Sequence, residues 1–155
     1  MLKIQTCQSK HEFSQAKIIA NNYLKWLNMD LNYQKLEVEF AGIEKMYGPP
    51  KGCFLLAYYN GVLAGGVGLR YLSDYTCEMK RLFVYPQFQK QGVGKKLCEL
   101  IIKNAQELGY KAMKLDTVNR LKSAIKLYEK LGFKETKAYC ENPDKTARFF
   151  ELKLD

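Results

Sequence analysis

Gly92 and Gly94 close the run Gln89-Lys90-Gln91-Gly92-Val93-Gly94. That run follows the apolar, strand-like segment Leu82-Phe83-Val84-Tyr85 and opens an amphipathic segment ending near Leu108. A strand that turns through glycines into a helix gathers several free backbone N–H groups around one point. The helix dipole adds positive potential there, so the turn suits a phosphate or pyrophosphate. The glycines let the backbone approach an anion closely, and Lys90, Lys95 and Lys96 supply charge around it. The spacing, Q-x-x-G-x-G, matches neither the phosphate loop of nucleotide hydrolases nor the dinucleotide fingerprint.

Other chemistry-bearing residues are sparse. The five cysteines, Cys7, Cys53, Cys77, Cys98 and Cys140, are odd in number, scattered and without a C-x-x-C pair. They read as reduced thiols of a cytoplasm and give neither a disulfide framework nor a zinc site. The one histidine, His11, reads as an exposed residue near the start of the first helix, so no histidine triad and no metal centre is expected. A net charge of +9, from 25 basic and 16 acidic residues, favours nucleic acid, an anionic membrane surface or a polyphosphorylated cofactor. The lysines form no basic tail, so charge alone does not choose among these. No apolar run approaches the roughly 20 residues that span a bilayer, and the N-terminus lacks a secretory signal's apolar core. A cytoplasmic protein without membrane attachment is expected.

The elements that must position these residues follow from periodicity. Lys3–Cys7 reads as a strand, Glu12–Leu27 as a helix, and Tyr33 to Met46 as a second helix stopped by Gly48-Pro49-Pro50. Cys53–Tyr59, Val62–Tyr71 and Thr76–Tyr85 read as three strands of an antiparallel meander, the first two joined by Asn60-Gly61. A helix from Gly94 to Leu108, a strand Ala112–Val118, a helix Leu121–Leu131 and strands Phe133–Lys137 and Ala147–Leu154 complete the chain. The strand–helix–strand unit predicts that Thr76–Tyr85 and Ala112–Val118 run parallel and adjacent. The result is one α/β domain over residues 1–155, with a mixed, mostly antiparallel sheet of about seven strands and about four helices.

These features coincide with a known pattern. Glu78-Met79-Lys80-Arg81-Leu82-Phe83-Val84 leads into Q-x-x-G-x-G, and Asn119 precedes Ala124-Ile125-Lys126-Leu127-Tyr128-Glu129-Lys130-Leu131-Gly132-Phe133. The chain resembles the GCN5-related N-acetyltransferase (GNAT) superfamily, closest to small stand-alone bacterial members that carry a Y-x-x-N-P element before the last strand. Here that element is Tyr139-Cys140-Glu141-Asn142-Pro143.

The resemblance implies a GNAT fold with a V-shaped splay between strands four and five, and acetyl transfer from acetyl-CoA to an amine. The CoA diphosphate would lie on Gln89, Lys90, Gln91, Gly92, Val93, Gly94 and Lys95. Its pantetheine arm would run along the open edge of Leu82, Phe83 and Val84, with Asn119 as a contact or as a helix N-cap. The Leu82 N–H would polarise the thioester carbonyl, and Tyr128 would protonate the departing thiolate. The plain alternative for Tyr128 is an aromatic on a buried helix face. Glu78 matches a general-base position, and strict alternation puts it on one side with Lys80, Leu82 and Val84. Its plain alternative is a cross-strand ion pair with a lysine or arginine. Direct transfer needs no acyl-enzyme, so Cys77, Cys98 and Cys140 are not nucleophiles on this reading. A homodimer is common among relatives. Two other functions compete: a non-catalytic CoA-binding sensor, and a tRNA-directed acetyltransferase toxin. The E-M-K-R strand argues against nucleic acid as a partner.

Overall fold

The computed structural model describes residues 1–28 and 33–155. Helix α1, Lys10–Leu27, starts at a capping box: Ser9 Oγ accepts from the Glu12 amide at 3.1 Å and Glu12 Oε1 accepts from the Ser9 amide at 3.0 Å. The expected second helix divides at Gly42 into α2, Tyr33–Ala41, and α3, Ile43–Met46. Gly42 leaves helical geometry with ψ 23°, as a residue of poor helix propensity does most readily. Helices α4, Val93–Glu107, and α5, Lys122–Lys130, follow as the periodicity indicates.

Seven strands, β1 Leu2–Thr6, β2 Cys53–Tyr59, β3 Val62–Ser73, β4 Thr76–Val84, β5 Ala112–Val118, β6 Lys134–Thr136 and β7 Ala147–Lys153, form one mixed sheet. The order is β1-β2-β3-β4-β5-β7-β6, and every neighbouring pair is antiparallel except β4–β5. Asn60 and Gly61 both take positive φ, the two-residue turn that joins twisted strands.

Apolar side chains alternate to the two faces of the sheet. One face packs Leu55, Leu69 and Met79 against α4 and α5; the other packs Phe54, Leu56 and Phe83 against α1 and α3. The middle of the sheet is therefore covered by helices on both sides.

The parallel pair is short. Thr76, Cys77 and Glu78 pair with Ala112, Met113 and Lys114, and no pairing between the two strands continues beyond Glu78 and Lys114. From there β5 stays with β7, through Val118↔Ala147. The second half of β4 thus has β3 on one side and a free edge on the other.

Strict alternation along β4 fails, which corrects the expectation that Glu78 shares a side with Leu82 and Val84. Gly66 pairs with Phe83 and Gly68 with Lys80, so β4 carries one extra residue between those pairs. Arg81 absorbs it with φ 62°. Cys77 and Met79 face α4, and after the bulge Leu82 and Val84 face it instead. Phe83 turns to the α1 side, the side that Glu78 shares.

Candidate active site

The bulge is fastened from α2. Arg81 Nη2 lies 2.7 Å from Glu39 Oε1, its Nε is 3.0 Å from Glu39 Oε2, and the Tyr47 hydroxyl donates to Oε2 at 3.3 Å. Burial works against charge on Glu39, but the Arg81 guanidinium wins and holds its carboxyl below the usual range.

Beyond the bulge the free edge runs through Leu82, Phe83 and Val84 into a 3-10 turn, Pro86–Phe88, and then into the glycine run. The Val84 carbonyl accepts from Gln89 Nε2 at 2.9 Å. Lys90 and Gly92 take left-handed φ of 64° and 82°, and Gly92 caps α4 with no side-chain bond. The first bond of α4 is Lys96 N–H to Gly92 O, so the first-turn amides of Val93, Gly94 and Lys95 have no helical acceptor. No acidic side chain lies in that turn. A Cβ at Gly94 would point between Val84 Cγ2, 3.8 Å away, and Leu127 Cδ2, 3.9 Å away. The glycine therefore keeps the cleft between β4 and α5 open at no packing cost.

Tyr128 follows Leu127 on α5 and is buried in the core on that side of the sheet. Its ring packs on Phe133 and Phe150, with centroids 5.8 and 6.4 Å away. Its hydroxyl has no hydrogen-bond partner among the described residues. Burial, reinforced by the charge of neighbours including Asp116, raises its pKa well above that of a free phenol.

These observations match what the comparisons find. The Acetyltransferase (GNAT) family matches residues 20–133. The chain belongs to the GNAT acetyltransferase family. It is 33% identical to an uncharacterised N-acetyltransferase of Schizosaccharomyces pombe, over 99% of this chain and 95% of that one. An acetyltransferase structure from Streptococcus agalactiae superposes with a TM-score of 0.80 at 24% identity, covering 99% and 98% of the two chains. A Salmonella typhimurium acetyltransferase, solved with its cofactor acetyl-CoA, gives 0.74 at 20% identity over 100% and 95%. The chain is an N-acetyltransferase by family, and its mixed sheet with the parallel β4–β5 pair matches the fold of these structures.

Within this GNAT acetyltransferase Glu78 makes the cross-strand ion pair that stood as the plain alternative to a base role. Its Oε1 takes Arg70 Nε at 2.6 Å across the β3–β4 ladder, and its Oε2 accepts from the Tyr139 hydroxyl at 2.5 Å. The residue is 1% exposed, and both of its carboxylate oxygens are engaged by those partners.

Asn119 does not cap α5. The N-cap position is Leu121, two residues on, and no side chain bonds there. Asn119 Oδ1 instead accepts from Lys122 Nζ at 3.0 Å and Arg148 Nη1 at 3.3 Å.

The cysteines are poor nucleophiles. Burial pushes the Cys7, Cys77 and Cys98 thiols up to about 12, and desolvation beside Asp116 and Glu78 pushes Cys140 up to about 11. His11 is exposed as expected. No helix among the described residues is long and apolar enough to cross a membrane.

The sequence reading missed Asp116 and the roles of Arg70 and Tyr139. Asp116 stands on β5 just past the last parallel pair, and Asp116, Glu78 and Cys140 bring ligand atoms within 4.8 Å of one another. Tyr139 lay within a recognised motif, but only the folded loop after β6 shows that its hydroxyl meets Glu78.

Proposed function

We propose that the chain, acting as one unit over residues 1–155, transfers an acetyl group from acetyl-CoA directly to a primary amine of a small molecule or peptide. The observation that carries this is the continuous path from the free β4 edge to the unpartnered amides opening α4. That path suits a long ligand with an amide-bearing arm and a diphosphate. The amides of Gln91 to Lys95 would hold the diphosphate, with Lys90, Lys95 and Lys96 around it. The edge of Leu82, Phe83 and Val84 would receive the arm as a strand would, once Gln89 releases the Val84 carbonyl.

The Leu82 N–H would stabilise the negative charge developing on the thioester oxygen. Tyr128 would hand its proton to the departing thiolate, and burial supports this by keeping the phenol neutral until then. Glu78 would act as base through Tyr139: the phenolic oxygen takes a proton from the acceptor ammonium while its own proton passes to Glu78. Asn119 is the weakest member of the set, because its carbonyl oxygen is held by Lys122 and Arg148.

The test is acetyl-CoA consumption, read as released thiol, over an amine library. Tyr128→Phe should lower kcat at least about tenfold, roughly 1.4 kcal/mol of barrier. An unchanged single-turnover rate removes the acid role. Tight CoA binding with no turnover on any amine assigns the chain to a sensor role instead.

A further inference from the structure

Glu78 spends both oxygens on protein partners, whereas Asp116 does not. Asp116 lies two residues past Lys114, on the same face of β5, half-buried where the strands separate. Its Oδ2 accepts from Asn142 Nδ2 at 3.0 Å and from the Cys140 thiol at 3.8 Å. Its Oδ1 has no hydrogen-bond partner, and no basic side chain comes within 4.0 Å of either oxygen, among the described residues. The Lys114 ammonium on the same strand sits over the Tyr139 ring instead, 5.4 Å from its centroid. A second carboxylate, Glu78, stands within 4.8 Å. Two carboxylates at that separation, with Arg70 answering only one, leave a deficit of positive charge facing the splay. Tyr128, 7% exposed and with a hydroxyl unpartnered among the described residues, lies within range of the Asp116 charge.

The loop that holds Asp116 also forms a wall of a cavity. Asn142 bonds Asp116, and Pro143, Asp144 and Thr146 line a space of about 710 Å³ together with Asn28, Arg120 and Lys122. The charged lining here is two cations, Arg120 and Lys122, against one carboxylate, Asp144. Arg120 donates to the Leu27 carbonyl at the end of α1, and no carboxylate pairs with it among the described residues. Asp144 is occupied by its own turn, taking the Thr146 amide at 2.7 Å and hydroxyl at 2.6 Å. Arg120 follows Asp116 by four residues, at most about 13 Å between Cα atoms. Such a span suits a small molecule.

Resting on the acetyltransferase reading above, we infer that the acceptor is a small amine carrying its own anionic group, with its ammonium on Asp116 and its anion on Arg120. On the acetyltransferase reading the amine lies at the splay beside Asp116, and the anion then reaches toward Arg120 in the lining of the neighbouring cavity. Asp116 is then a binding and specificity residue, and Glu78 keeps the proton.

The test is isothermal titration of the full-length chain loaded with CoA. The probes are L-amino acids against their carboxamides, and phosphoethanolamine against ethanolamine, which separates a carboxylate from a phosphate source. At least one anionic member should bind about tenfold or more tightly than its neutral partner. Arg120→Gln should bring that ratio to within about twofold and leave the neutral partner's affinity unchanged, while Arg120→Lys keeps part of the ratio. Asp116→Asn should weaken both partners at least about tenfold and leave CoA affinity unchanged. Neutral amines binding as well as anionic ones, a ratio that survives Arg120→Gln, or no binding anywhere in the panel overturns the inference. If the wild-type chain fails to bind CoA at all, the acetyltransferase reading itself has failed, which is a different result.

Discussion

Tyr128 keeps its proton because almost no water reaches its ring. Burial, helped by the nearby charge of Asp116, raises its pKa, and the neutral form persists well into alkaline solution. The sign gives a kinetic expectation: an acid that must be protonated loses nothing until the pH passes its raised pKa. The pH profile of kcat should therefore show no loss attributable to Tyr128 below about pH 10. A limb that falls earlier in wild type and vanishes in Tyr128→Phe would contradict this. At this scale the sequence was legible where one stretch of chain carries its own geometry, as with the buried ring of Tyr128 and the left-handed turn at Gly92. It was not legible where a role depends on two strands meeting. Arg70, Glu78 and Tyr139 come from three separate segments, and no spacing in the chain reveals that they share one carboxylate. Asp116 escaped for the same reason: in sequence it is one polar residue within a strand.

On the proposed reading, Gly94 serves a ligand rather than its own helix. It sits in the first turn of α4, where alanine is the better helix former, and an added methyl would make only ordinary contacts with Val84 and Leu127. Gly94→Ala should leave the melting temperature unchanged or raise it, by up to about 1 kcal/mol of stability. The KM for acetyl-CoA should rise at least about fivefold. Steady-state kinetics beside a thermal melt check both, and an unchanged KM would remove the loop as the diphosphate cradle.

The β4 bulge carries the second expectation at the scale of elements. Glu39→Gln leaves Arg81 buried without its charge partner, which should cost about 3 kcal/mol in urea denaturation. The depressed Glu39 carboxyl contributes stability that is complete above its ordinary value of 4.5 and is lost as pH falls through the lowered one. Acid unfolding of Glu39→Gln should therefore be shallower than that of wild type. Neither device was visible beforehand. The bulge breaks the period on which strand faces are read, and the Ser9/Glu12 box starts α1 at Lys10, two residues before the expected start at Glu12. Gly42 was in plain view, but a glycine within an apolar period reads as tolerated until the backbone is seen to turn there.

Across the whole molecule, two features act together: a net charge of +9 and a sheet joined between β4 and β5 by three residue pairs. Exposed lysines around a polyphosphorylated ligand act through solvent, and their reach shrinks from about 10 Å at 0.1 M salt to about 3 Å at 1 M. Raising KCl from about 0.05 to about 0.5 M should lower kcat/KM for acetyl-CoA severalfold while kcat holds. A salt-independent KM would assign the charge to some other purpose. The order of elements was legible because most strands carry apolar residues and end at clear turn signals such as Asn60-Gly61. The depth of the splay was not, since pairing stops where side chains on both strands continue without interruption.

The bulge at Arg81 also bears on solubility. A strand with one free edge invites the strand of another chain, and an edge proposed to receive a ligand cannot simply be covered. Here the edge is interrupted at Arg81 and ended by Pro86, which has no N–H to offer a neighbour. What remains between them is only a few residues long, too short and too twisted to template stacking with a second copy. The kink that re-aims the side chains of β4 thus also guards the chain against aggregation.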